Sequence, residues 1–352
     1  MIYFCFMSYR VHSVICLVLF FILTSTDACQ NPKANQNVSL SRVDTDPAFK
    51  SITDSLRQFP ADVSLLLRRA TRLSQIGDHE NAHTDYKNAW DMQPSIETGL
   101  PLASNLQILG NQEERLRILK NLSARTPENQ QVERLLADAY SANNNNAQAL
   151  KIYDHMLSID SPDAETWYER AIVLEQLKDT ANAIESLRKA YRKQTIDTYG
   201  LELAHIYAEQ KNAKALQICD YILSNDSAGI LIDPIFIKGI YFANIKQYPK
   251  AIEQFDICIH RDWKTTDAYL EKGMAFFQMK KFGAAMETFN MAITVSNSDP
   301  DAYFWLGRSE EALGRKTDAV SNYQKAILLD KTFEEARQRI KMLDSGFVEP
   351  TR

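Results

Sequence analysis

A period of 34 residues runs through most of this chain and limits its fold more than any other feature. Residues 300–331, PDAYFWLGRSEEALGRKTDAVSNYQKAILLDK, hold two amphipathic stretches joined by a short turn, and the same arrangement recurs upstream. The alanine that opens the second stretch returns at Ala82, Ala149, Ala183, Ala215, Ala251, Ala285 and Ala319, with Arg115 standing where one more is due; the spacings are 33, 34, 34, 32, 36, 34 and 34. A small residue marks the first stretch at Ala70, Ala103, Ala137, Ala171, Ala204, Gly239, Gly273 and Gly307, and aromatic residues mark the second at Tyr86, Tyr153, Phe255, Phe289 and Tyr323. Two antiparallel helices approach closely only where side chains are small, so these places read as crossing points, with Leu306, Tyr323 and Ala326 as packing residues beside them. A lone hairpin leaves part of its apolar face in water, so each unit has to stack on the next. The pattern predicts an all-α solenoid.

Composition agrees. Glycine and proline number only 11 each, too few for a strand-and-turn protein. A single core rarely grows past about 250–300 residues, which favours an elongated form for a chain of 352. The net charge is -5 and no long basic run is present, which argues against nucleic acid as a partner. Residues 47–62, with Ile52 and Pro60, align with a second helix lacking its first and predict an N-terminal cap. Residues 334–352 predict a charged capping helix and a tail. The turn after Tyr207 is one residue short and 224–234 is long, so a change of pitch or a hinge is expected there.

The period, the small residues and the aromatics resemble those of the tetratricopeptide repeat, in eight copies over 63–333. That resemblance implies a right-handed α-solenoid whose first helices line a concave groove. Residues flanking the small position would then point into it: Tyr168 and Ile172, Leu201 and His205, Phe236 and Ile240, Leu270, Met274 and Phe277, then Phe304 and Arg308. The stripe is largely apolar and lacks the basic residues with which relatives grip a peptide carboxylate. It suits an amphipathic or extended peptide, with Phe236, Met274, Phe277 and Phe304 expected to face solvent. In a tightly wound superhelix the same side chains would pack on the neighbouring repeat, and burial against the tether or a second copy also stays open.

The first 28 residues read as an export signal: Arg10 precedes an apolar run from Val14 to Leu23, too short to span a bilayer. Cys29 then stands where a bacterial lipoprotein carries its lipid, ahead of a polar tether over 29–46. The chain thus resembles bacterial envelope repeat lipoproteins, facing the periplasm from the outer membrane, although Thr26 and Asp27 depart from the usual lipidation signal and plain secretion is the alternative. Cys219 and Cys258 fall on packing faces and read as buried free thiols.

No phosphate loop, zinc helix or nucleophile elbow occurs. His79 and His83 have helical ligand spacing but no third ligand, and the cluster Arg188, Lys189, Arg192, Lys193 reads as a solvated face. No cofactor or metal is implied. These features point to a non-catalytic protein-binding scaffold, with a regulatory subunit or an unrecognised hydrolase as the other reading.

Overall fold

The computed structural model describes residues 46–159 and 163–344, all in helices and their connections. The signal, Cys29, all of the tether but its last residue, and the final tail lie outside the described residues. The chain divides into two compact units, 1–93 and 94–352. In the first, α1 (Pro47–Gln58) packs Ile52 and Leu56 on the hairpin of α2 (Val63–Gln75) and α3 (His79–Met92). Arg69 reaches from α2 to Asp85 on α3 through two hydrogen bonds of 2.6 and 2.8 Å, and Asp85 is buried.

The second unit is a run of seven hairpins, each a first helix followed by a second. They are α4 (Ile96–Ile108) and α5 (Gln112–Arg125), α6 (Gln130–Ala142) and α7 (Asn146–Ser158), α8 (Ala164–Gln176) and α9 (Thr180–Lys193), and α10 (Asp197–Glu209) and α11 (Lys214–Ser224). The run continues with α12 (Asp233–Asn244) and α13 (Tyr248–Arg261), α14 (Thr266–Gln278) and α15 (Phe282–Val295), and α16 (Pro300–Ala312) and α17 (Lys316–Leu329), and α18 (Glu334–Asp344) closes it. Arg339 of α18 pairs with Glu311 of α16, whose carboxylate also accepts the Tyr323 hydroxyl of α17 at 2.6 Å.

One turn geometry builds every hairpin. Seven residues past each small residue the backbone turns left-handed, at Gly77, Gly110, Asn144, Lys178, Lys211, Lys246, Lys280 and Gly314. The next amide donates to the carbonyl five residues back, as Asp78 does to Leu73 at 2.9 Å and Arg315 to Glu310 at 2.9 Å. This closes the first helix by satisfying a carbonyl that would otherwise lack a donor.

The crossing points differ in chemistry along the run. A Cβ added at Gly273 would stand 2.5 Å from the Phe289 ring, and one at Gly239 would stand 2.4 Å from that of Phe255. In these hairpins the ring fills the space that a Cβ would take, whereas in the α6–α7 hairpin alanine meets a ring, Ala137 sharing a cluster with Tyr153. Alanine serves where the facing residue is the smaller Leu187 or Cys219. Arg115 occupies the alanine place on α5 yet is 1% exposed, because its guanidinium pairs with Asp138 of the next hairpin.

Between hairpins, ion pairs recur at one register. Arg170 reaches Asp154 at 2.7 Å, Lys238 reaches Asp220 at 2.7 Å and Lys272 reaches Asp256 at 2.6 Å, in each case from the residue before the small position back to the preceding second helix. Where that residue is Leu136, Leu203 or Leu306, the place on the preceding helix is Lys120, Arg188 or Asn290, and no such pair forms among the described residues. The expected hinge at 224–234 is not seen. One apolar cluster joins Leu203 and Tyr207 of α10 to Ile237 and Tyr241 of α12, and the Asn244 amide donates to the Ala208 carbonyl at 3.2 Å. The short turn before α11 leaves α10 in direct contact with α12, so the long loop is spanned by packing.

Candidate protein-binding face

The eleven residues expected to line the first-helix face divide by burial. Phe236, Leu270 and Phe304 are 5%, 1% and 4% exposed and belong to the core, against the expectation that the two aromatics face solvent. The cause is the glycine three residues after each. Without a Cβ at the crossing, the ring of the second helix sits in it and covers the residue one turn earlier: Phe236 meets Phe255 at 5.6 Å and Phe304 meets Tyr323 at 5.7 Å, while Leu270 shares a cluster with Phe289. In the α8–α9 and α10–α11 hairpins, which have alanine at the crossing, the matching Tyr168 and Leu201 are only half-buried. The pairing of a glycine with a ring was readable in the sequence and separates the two cases.

Ile172, His205, Ile240, Met274, Phe277 and Arg308 are half-buried. Phe277 lies against Phe282 at 5.1 Å and Trp305 at 5.4 Å, with the Arg308 guanidinium 5.6 Å over its ring. Tyr168 of α8 meets Tyr199 of α10 at 4.9 Å, joining two successive first helices.

Between these side chains stand carboxylates that pattern reading did not single out. Glu169, Glu202 and Glu271 each lie two residues before a small position, and Glu175 lies one turn after Ala171. All four are half-buried, and burial raises each from the ordinary carboxylate range to about 7. Glu175 is raised further by the charges of Glu202 and Glu209, and Glu169 is pulled back by Arg134. Arg134 of α6 also holds Asp163 at 2.9 Å, Thr166 at 3.0 Å and Glu165. Asp301, similarly raised by burial and by Asp299, stands at about 6. His205 is held neutral by burial, partly opposed by Glu209. The face on α8 and α10 is thus acid and aromatic together, rather than the largely apolar stripe that was expected. An offset of two residues from the small position would have found most of it.

Burial moves the Cys219 and Cys258 thiols up to about 12, so both stay protonated at neutral pH. Among the described residues no group of three His, Cys, Asp or Glu side chains is arranged to hold a metal, and no helix is long and apolar enough to cross a membrane.

Stacked helical hairpins of this kind define an all-α solenoid of the protein-interaction class. Residues 118–195 match one tetratricopeptide-repeat profile, and residues 266–299 and 300–333 match another. These segments are tetratricopeptide repeats. No curated protein matches the sequence. Among solved structures it is similar to a chain of the APC/C hetero-tetramer Cut9-Hcn1, with a TM-score of 0.52 at 15% identity over 82% of this chain, which spans 57% of that one. It is similar also to a tetratricopeptide repeat protein from Parabacteroides merdae ATCC 43184, with a TM-score of 0.50 at 16% identity over 80% of this chain and 98% of that one. A third likeness is to PilW, a widely conserved type IV pilus biogenesis factor, with a TM-score of 0.53 at 18% identity over 61% of this chain and all of that one. At such identities the likeness carries the fold alone.

Proposed function

We propose that this protein is a non-catalytic scaffold of the bacterial cell envelope that holds a cationic, amphipathic segment of another protein in the groove lined by its first helices. The observation that carries this reading is the face on α8 and α10. Half-buried Tyr168, Ile172 and Leu201 offer apolar contact, and the charges of Glu202 and Glu209 add to burial in raising the proton affinity of Glu175. Carboxylates that carry such repulsion are relieved by a lysine or arginine brought from outside, so binding and ionisation favour each other. Ile240, Met274, Phe277 and Arg308 extend the same face in later hairpins; Phe236, Leu270 and Phe304 do not contribute, being covered. In this reading Cys29 is lipidated after removal of residues 1–28, and the tether lets the solenoid face the periplasm from the outer membrane.

A photo-crosslinking residue at Ile172 or Leu201, used in native membranes and read by mass spectrometry, tests the face directly. Capture of one basic segment, reduced roughly ten-fold or more by Glu175→Gln with Glu202→Gln, is the expected result. Crosslinks confined to other surfaces would remove the assignment. Cys29→Ser should release the protein from the membrane fraction; an unchanged membrane pool would remove the lipid anchor.

A further inference from the structure

The turn that closes each first helix carries a lysine in four successive hairpins: Lys178, Lys211, Lys246 and Lys280 all adopt φ between 59° and 63°. Left-handed backbone disfavours a residue with a Cβ, and glycine or asparagine fills the same place in the other hairpins. The next residues add Lys214, Lys250, Lys281, Arg315 and Lys316 on the same edge. From 210 to 216, 245 to 250 and 279 to 284 this edge holds six lysines and no acid. The three turns are exposed at their lysines, which form no ion pair with any described residue. The second helices that start at Gln247, Lys281 and Arg315 also lack a side-chain cap, whereas Asn111 and Asp179 cap theirs earlier in the unit and the Lys214 amide donates to the Asn212 side chain at 3.1 Å. The opposite edge, made by the loops between hairpins, carries Asp226, Asp233, Asp262, Asp267, Asp299 and Asp301.

We propose that this basic edge of the fifth to eighth hairpins, counting α2–α3 as the first, lies on an anionic lipid surface. Each lysine sits at the tip of a hairpin, so the row projects from the stack and has no walls with which to enclose a peptide. Stacked hairpins repeat at roughly one helix diameter, about 10 Å, which sets the spacing of the charged turns along this edge. In the sixth to eighth hairpins the residue just before the left-handed one is apolar: Leu313 is exposed, and Ile245 and Met279 are half-buried, while Gln210 holds the place in the fifth. Lysines beside apolar tips match the boundary between headgroups and acyl chains. This contact is separate from the groove and from the lipid on Cys29; it would orient the solenoid against the membrane.

The test is vesicle flotation of the full chain carrying Cys29→Ser, so that no acyl chain can carry the binding. Vesicles of phosphatidylglycerol with phosphatidylcholine are compared with phosphatidylcholine alone. The chain should float with the anionic vesicles, and should be released when salt is raised from about 0.1 M to 1 M, which shortens the screening length from roughly 10 Å to 3 Å. Each lysine held near an anionic surface contributes roughly five-fold to partitioning, so Lys211→Gly, Lys246→Gly and Lys280→Gly together should weaken it by roughly a hundred-fold. Glycine suits the left-handed backbone, so the variant should melt no lower than its parent, which separates lost charge from lost fold. Equal flotation with both vesicle types, or undiminished binding by the triple variant, would overturn the proposal. Retention on polyglutamate with no preference for anionic vesicles would also overturn it, and would assign the edge to an acidic polypeptide.

Discussion

Gly273 shows how much a single Cβ decides in this chain. Because it would sit 2.5 Å from the Phe289 ring, Gly273→Ala should destabilise the protein by about 1–3 kcal/mol through overpacking. Adding Phe289→Leu should return part of that loss, since alanine faces leucine in the fourth hairpin; denaturant melts of the single and double variants measure it, and simple additivity would refute the steric account. The two phenylalanines on the first-helix face should also part company. Phe304→Ser removes a fully buried ring and should cost about 3–5 kcal/mol, whereas Phe277→Ser removes a half-buried one and should cost clearly less. Equal losses in thermal denaturation would mean that both are core.

The first helices carry more than packing. Glu169, Glu175, Glu202 and Glu271, near 7, and Asp301, near 6, keep protons in the folded chain that an unfolded chain has released above its ordinary value near 4 to 4.5. Stability is therefore greatest below that value as far as these groups are concerned, and falls as pH rises through the window from about 4.5 to 7. His205, whose proton affinity burial lowers, works against this by losing stability as pH falls below its ordinary 6.5. The melting temperature should be higher at pH 5.5 than at pH 8, and Glu175→Gln with Glu202→Gln should narrow the gap by raising the pH 8 value. A melting temperature that rises from pH 5.5 to pH 8 would show these carboxyls to be as hydrated as free ones.

Across the 94–352 unit, each hairpin draws its stability from its neighbours, so a local loss should stay local. Leu306 is 4% exposed in the cluster that joins α14 to α16, and Leu306→Ala should cost roughly 2–5 kcal/mol. Hydrogen exchange should then quicken in α14–α18 while α6–α9 keep their protection. Uniform quickening would mean that the unit unfolds as one body. The cluster shared by α8, α10 and α12 predicts the same continuity across 224–234, where the length of the loop had suggested a hinge.

By itself the sequence determined the helical class, the places where helices cross and the turns between them. These follow from local rules: helical periodicity sets which residues share a face, and small side chains mark where two backbones can meet. Burial on the first-helix face was decided by the tertiary structure. Periodicity gives a direction around one helix axis, but whether Phe304 or Tyr168 sees water depends on how far the second helix advances into the crossing, which the glycine and its ring settle together. The same holds for the polar residues. Arg115 stands as a departure from the alanine series and Glu202 is not marked by the repeat pattern at all, yet the stacked neighbours supply Asp138 for the first and a low-dielectric wall for the second. Stacking is long-range in sequence, so its electrostatic consequences could not be read from any one repeat.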